Sequence, residues 1–395
     1  MNILFTVLSV AFALLIAYIF SFDRKHVDFK KTLVMLILQV AIVLFMMNTT
    51  IGLTILKELG QFFEGLMNLS KEGINFVFGD MQNAKGFTFF LNVLLPLVFI
   101  SVLIGILNFF KILPFIIKYI GIGIDKLTRM GKLESYFAIS TSMLGQPEVF
   151  LTIKKQIPKL SKHRLYTITT SGMSAVSMAM LGSYMQMIEP KYVVTAVMLN
   201  IFSALIISSV INPYTTEDED INEILKENEE EKHVPFFQMI GDNAMDGFKI
   251  AVIVSVMLMA FISLMACITT IFQFVGLDFK ELIGYIFAPI AMLLGIPMSE
   301  AVQAGTIMST KLITNEFVAM IDFQPLKETL SERTIGILSV YLISFANFGT
   351  VGIIVGSIKS ISDKQGEKVA GFAMKLLLGA TLASIISAAM IGLVL

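Results

Sequence analysis

Four ionisable residues stand in otherwise apolar stretches of this sequence: Glu148, Glu300, Lys311 and Glu316. Two of them have an amide as neighbour. Gly145-Gln146-Pro147-Glu148 interrupts one apolar stretch, and Thr314-Asn315-Glu316 interrupts another. A third polar cluster, Ser344-Phe345-Ala346-Asn347-Phe348-Gly349-Thr350, lies in the middle of an apolar run. Carboxylates, amides, a hydroxyl and flanking phenylalanines suit a neutral solute with several hydroxyl groups and a flat ring. They suit an anion poorly, because no arginine accompanies them. Metal chemistry is not indicated: His26, His163 and His233 all fall in charged links, and no acidic pair at ligand spacing faces them. A phosphate-binding loop is also absent, which argues against ATP-driven work by this chain alone.

The solvent in which these residues must work is set by composition. Of 395 residues 56% are hydrophobic and 15% charged, with a mean hydropathy of +0.81; a soluble domain carries about 25% charge. This excludes a soluble enzyme. Runs free of Asp, Glu, Lys and Arg cover 1–22, 32–56, 86–110, 165–188, 192–216, 250–277, 334–358 and 376–395. Each is long enough to cross a bilayer as a helix, which takes about 20 residues. The expected fold is therefore an all-α polytopic membrane protein with about eight transmembrane helices. Met1–Phe22 lacks a basic leader region and reads as a retained helix. A net charge of −1 gives no reason to expect nucleic acid as a partner. The single cysteine, Cys267, reads as a buried inert thiol.

Lys and Arg concentrate in the links 23–31, 111–132, 153–164, 212–249 and 359–368. Placing these in the cytoplasm puts both termini outside. That topology closes only if 133–153 and 294–325 enter the membrane and return on the same side. Both are broken by polar residues near the middle, giving halves too short to span. Paired broken segments in corresponding places point to inverted repeats around a midplane site. The expected layout has N-terminal spans and scaffold over 1–110, with an interfacial helix at 57–79. A first repeat covers 111–211 with its re-entrant hairpin at 133–153. An acidic cytoplasmic loop covers 212–249, a scaffold helix 250–278, and a second repeat 279–395 with its hairpin at 294–325. Residues 113–130 and 279–293, each with a proline, read as helices along the membrane face. The acids of 212–232 read as a solvated loop rather than a cation site.

Glu148 and Glu316 stand at the hairpin tips, where broken helices free backbone groups that need polar partners. Glu300 comes after Pro297-Met298-Ser299 at a helix start, where capping is the favoured role. Lys311 either snorkels or pairs with an acid.

These stretches resemble one family. Leu144-Gly145-Gln146-Pro147-Glu148-Val149-Phe150, then Ser299-Glu300-Ala301-Val302-Gln303-Ala304-Gly305 leading to Lys311-Leu312-Ile313-Thr314-Asn315-Glu316-Phe317-Val318-Ala319, and Phe345-Ala346-Asn347-Phe348 look like concentrative nucleoside transporters of the bacterial NupC type. The likeness covers nearly the whole chain and includes Ile74-Asn75-Phe76-Val77-Phe78-Gly79. It implies a homotrimer in the cell membrane, each protomer moving a transport unit against a scaffold as an elevator. It also implies that Gln146 and Glu148 hold the nucleobase and that Glu316, Asn347 and Thr350 hold the ribose, with Phe345 packing nearby. The sequence departs from the family at Pro147, where a hydroxyl residue is common. It departs again at Thr141 and Ala175, which align with an asparagine and a hydroxyl residue that hold sodium in relatives. These losses favour a proton over sodium as the coupling ion, with no other cofactor. Glu148, Glu316 and Thr141 are the ion-coupling candidates. The expectation is a pyrimidine-preferring, proton-coupled nucleoside importer, with a sodium symporter as the alternative. A channel fits less well because the polar groups converge at one level. An intramembrane enzyme would need a metal or nucleophile pair that the sequence does not offer.

Overall fold

The structure, a computed structural model, describes residues 2–79, 88–146, 148–215, 234–274, 276–277 and 279–395. It is all-helical, with no strand among the described residues. The acids of 216–232, Pro147 and the side chain of Glu148 lie outside what is described. In chain order the helices are α1 (Asn2–Ile19), α2 (Phe29–Asn48), α3 (Thr50–Phe78), α4 (Pro96–Phe109), α5 (Ile112–Thr128), α6 (Lys132–Met143), α7 (Glu148–Leu151), α8 (Lys162–Ser174) and α9 (Met178–Met185). Then come α10 (Pro190–Ile211), α11 (Phe236–Gln273), α12 (Phe279–Leu293), α13 (Met298–Ile313), α14 (Glu316–Phe323), α15 (Glu332–Leu342), α16 (Phe348–Ile361), α17 (Asp363–Gly371) and α18 (Ala373–Gly392).

Among the described residues six helices are long and apolar enough to cross a membrane: α1, α2, Phe90–Phe109, α10, α11 and α18. Two spans expected to be continuous are not. The run 165–188 is split into α8 and α9 by an extended Ala175–Ser177, and 334–358 is split into α15 and α16. The second split has a local cause. Asn347 takes extended backbone and its side chain accepts from the Thr350 N–H, so it starts a new helix. Each hairpin thus packs beside a broken helix, α6–α7 beside α8–α9 and α13–α14 beside α15–α16.

The N-terminal boundaries also shift. Thr49 is extended, and its hydroxyl accepts from the Gly52 N–H at 2.9 Å and donates to the Phe45 carbonyl at 2.7 Å. The second span therefore stops at Asn48. Beyond it α3 runs unbroken for 29 residues, in place of the end of a span and a separate helix at 57–79. Its buried stripe, Leu56, Gly60, Phe63, Met67, Ser70 and Ile74, has the spacing of an amphipathic helix.

Residues 236–249, expected as part of the acidic loop, instead form the first turns of α11, a helix of 38 residues. Asp242, Asp246 and Lys249 hid this continuity. Glycines let α11 lie against α4: a Cβ on Gly105 would stand 2.4 Å from the Asn243 side chain, and one on Gly247 would stand 2.8 Å from the Leu97 carbonyl. Only 19% of the apolar window of α11 is enclosed, and Cys267 is exposed there rather than buried.

Helices α10 and α18 form the buried centre, with 83% and 78% of their apolar windows enclosed. Helix α12 meets α13 at 116°, the turn passing through Gly295 at φ +83°. Along this junction a Cβ on Gly305 would lie 2.3 Å from the Gly284 carbonyl and 2.8 Å from the Ala288 nitrogen. Both obstacles are backbone and cannot rotate away. Gly305→Ala is expected to cost about 2 kcal/mol, measurable as a lower melting temperature of the detergent-solubilised protein. An unshifted melt would mean that the two helices part freely.

Candidate functional site

The second hairpin turns at Thr314–Asn315. The Asn315 side chain accepts from the Val318 N–H at 3.0 Å and starts α14, which sets Glu316 at the tip as its first residue. Glu316 is only 4% exposed. One carboxylate oxygen accepts from the Tyr184 hydroxyl at 2.9 Å and the other from the Asn347 side-chain amide at 3.1 Å. Asn347 in turn receives the Thr350 N–H at 2.8 Å and the Thr350 hydroxyl at 3.1 Å. Two chain interruptions meet here, the hairpin tip and the start of α16, and the last turn of α9 lies against them. Broken helices leave backbone groups without partners, and these side chains supply them.

The sequence reading missed Tyr184. It is fully buried, and its ring lies 5.0 Å from that of Phe317, which meets Phe89 at 5.7 Å. Its signal was faint: a lone tyrosine late in an apolar run whose break was not foreseen. Phe345 is half-buried in the break before α16, where its carbonyl accepts from the Asn347 N–H.

At the first hairpin tip the Gln146 side-chain amide donates to the carbonyl of Gly172, in the last turns of α8. The approach at Gly172 is close: a Cβ would stand 3.2 Å from the Phe150 ring and 3.6 Å from the Gln146 amide nitrogen. Phe137 and Phe150 pair at 5.3 Å behind it. Among the described residues no hydrogen bond joins Gln146 to Glu316. The two tips connect instead through α8 and α9, since Gln146 grips the first half-helix and the second presents Tyr184 to Glu316. Buried hydroxyls of Ser171 and Ser174, beside Gly172, have no hydrogen-bond partner among the described residues. A cavity of about 350 Å³ opens next to the tip at Gly145 and the break at Ser177, with Thr152, Asn108, Asn243 and Asp246 among its other lining residues. Its size is in the range of small-molecule pockets.

Other candidates fall elsewhere. The Thr141 hydroxyl is spent within its own helix, donating to the Ala138 carbonyl at 2.8 Å. Glu300 accepts from the N–H and the hydroxyl of Ser331, at 3.1 and 2.9 Å, and so holds the start of α15. The expected role was to cap its own helix start; its hydrogen bonds go instead to Ser331, the N-cap of a different helix. Lys311 is fully buried at the end of α15. A buried ion pair braces the first hairpin: Glu134 on α6 accepts from Arg164 on α8 at 2.6 and 3.1 Å, and from the Tyr214 hydroxyl at 2.9 Å. Burial first, then the Glu134 carboxylate, holds the Tyr214 phenol well above its usual range, so it stays a donor.

Known proteins match this arrangement along its whole length. The profile described as "Na+ dependent nucleoside transporter C-terminus" matches residues 192–392, its N-terminal counterpart matches 8–81, and one described as "Nucleoside recognition" matches 90–191. The purine nucleoside transport protein NupG of Bacillus subtilis (strain 168) is 36% identical over 96% of either chain. The chain belongs to the concentrative nucleoside transporter family. Nucleoside permease NupC of Helicobacter pylori is 29% identical, covering 99% of this chain and 97% of that one. The solved structure of CNTnw in an inward-facing substrate-bound state superimposes with a TM-score of 0.94 at 29% identity, covering 100% of this chain and 98% of that chain. As a concentrative nucleoside transporter the chain is a multi-pass membrane protein that carries nucleosides and is not an enzyme.

Proposed function

We propose that this transporter imports nucleosides by ion-coupled, elevator-type alternating access, as a homotrimer with both termini outside the cell. Glu316, Asn347 and Thr350 hold the ribose, with Phe345 beside it, and Gln146 and Glu148 hold the base. The observation that carries this reading is the Glu316 carboxylate, buried where two chain interruptions meet and bonded to side-chain donors on both oxygens. Each carboxylate oxygen keeps a further lone pair for a sugar hydroxyl, an interaction that a free base cannot make. The basic links support the orientation.

Proton coupling, with Glu148 or Glu316 as the carrier, is the preferred energy source. A sodium cage needs several oxygen ligands; Thr141 offers a hydroxyl in place of an amide oxygen, and Ala175 has no side-chain oxygen to give. Sodium coupling is the second reading, favoured by the unpartnered Ser171 and Ser174 hydroxyls. Radiolabelled uptake at fixed pH with and without sodium, then with a protonophore, separates them. Uptake that survives the protonophore and requires sodium overturns the proton reading.

The sequence favours pyrimidines, whereas the name of the Bacillus subtilis relative favours purines. The relative is the stronger support, because nothing in the geometry around Gln146 selects the smaller ring. Unlabelled inosine and guanosine are expected to compete against labelled uptake at lower concentrations than uridine and cytidine. The reverse order restores the pyrimidine reading.

A further inference from the structure

Lys311 lies two residues before the end of α13 and is fully buried. An ammonium has three N–H donors. Here each meets an oxygen: the Tyr341 carbonyl at 2.5 Å, the Ser344 hydroxyl at 2.6 Å and the Ser384 hydroxyl at 3.2 Å. The Tyr341 ring faces the same ammonium, 4.3 Å from its centroid. None of these groups is an acid. The buried Glu316 carboxylate acts on the ammonium through charge without touching it, and because a charge in a protein interior is costly the remaining surroundings must reward it as well.

They do so through α15. Tyr341 and Ser344 flank the point where that helix stops, and the last carbonyls of a helix are unpartnered and partly negative. The Leu342 carbonyl accepts from the Ser344 N–H, and the Ile343 carbonyl is taken by the Asn200 amide. Asn200 accepts from Ser387 at 2.6 Å, Ser387 meets Ser203 at 2.8 Å, and Ser203 meets Gln39 at 2.6 Å. The carbonyl end of α15 is therefore closed by a buried polar network with one charge in it. The first repeat closes its break differently. There the Gly172 carbonyl receives the neutral Gln146 amide, and the residue two before the end of α6 is the uncharged Thr141.

We propose that Lys311 is a tethered cation that locks the second hairpin onto the break between α15 and α16 and so holds Glu316 and Asn347 in register for the sugar. Lys311 precedes Glu316 by five residues on one side of the lock, and Ser344 precedes Asn347 by three on the other. It touches no substrate and acts as a positioning residue. The inference rests on the sugar-binding role proposed for Glu316 and Asn347.

The test uses the full chain, with uptake and binding of radiolabelled uridine and inosine. Lys311→Met fills the space without the charge, Lys311→Ala empties it, and Glu316→Gln runs alongside. Both Lys311 variants are expected to raise KM by about tenfold or more, as loss of a charged hydrogen bond does, with a smaller change in maximal rate. Ammonium or methylammonium is expected to restore Lys311→Ala and to leave Glu316→Gln unchanged. A wild-type KM in Lys311→Met, or a folded Lys311→Ala that neither cation restores, overturns the proposal. If neither Lys311 variant folds, Ser344→Ala with Ser384→Ala removes two of the oxygens instead, and an unchanged KM there overturns it too. Normal binding by Glu316→Gln defeats the sugar assignment, whatever the Lys311 variants do.

Discussion

Glu316→Gln is expected to reduce nucleoside uptake about a hundredfold while leaving the protein folded. The fold survives because the Tyr184 hydroxyl can turn: it donates to the carboxylate now, and it can accept from an amide NH2 instead. The other oxygen still faces Asn347. What disappears is the negative charge that the proposed ribose site would offer. Two charge-assisted bonds at about 1.5 kcal/mol each amount to about 3 kcal/mol, or about a hundredfold in affinity. Labelled uptake in a transport-deficient cell, normalised to the amount of protein in the membrane, is the measurement. Undiminished uptake would remove Glu316 from the site and take Asn347 and Thr350 with it.

Glu134→Ala is expected to destabilise the protein by about 3–5 kcal/mol, because it leaves Arg164, 15% exposed, without the carboxylate that takes two of its N–H groups. The Tyr214 hydroxyl loses its acceptor as well. Replacing both partners with leucine is expected to cost much less than replacing either alone, since no buried charge is then stranded. Thermal melts of the four proteins form the cycle that measures this. A double variant as unstable as the worse single one would mean that packing, not charge, sets the effect. In function the pair ties the base of the first hairpin to the first half-helix, so its loss should also weaken nucleoside binding through Gln146.

How far the sequence was legible depended on whether a feature was averaged or local. Hydropathy summed over 20 residues pointed to the membrane, and the placing of Lys and Arg with polar residues in mid-stretch pointed to the hairpins. The same sum hid the breaks in 165–188 and 334–358. Ala175-Val176-Ser177 is as apolar as the helix around it, and only backbone geometry tells them apart. The second break was better signalled: Asn347 with Thr350 three residues later is a helix start, although the cluster read as the middle of one apolar run. Thr49 marked another such start that the apolar run obscured. Glu316, Asn347 and Thr350 were legible because polar groups in an apolar run need a reason. Tyr184 and the Glu134–Arg164 pair were not. Each depends on a partner far along the chain, and no local pattern encodes that distance.

The 38 residues of α11 measure about 57 Å, against about 30 Å of hydrocarbon. Its glycine contacts bind the first half to α4, while Val252, Val256, Met259 and Ile262 face outward along the rest. A helix so long and so fastened cannot adjust its lean independently of its neighbour. Membranes with longer or shorter acyl chains therefore tilt the pair together, and turnover in reconstituted vesicles becomes a function of lipid thickness.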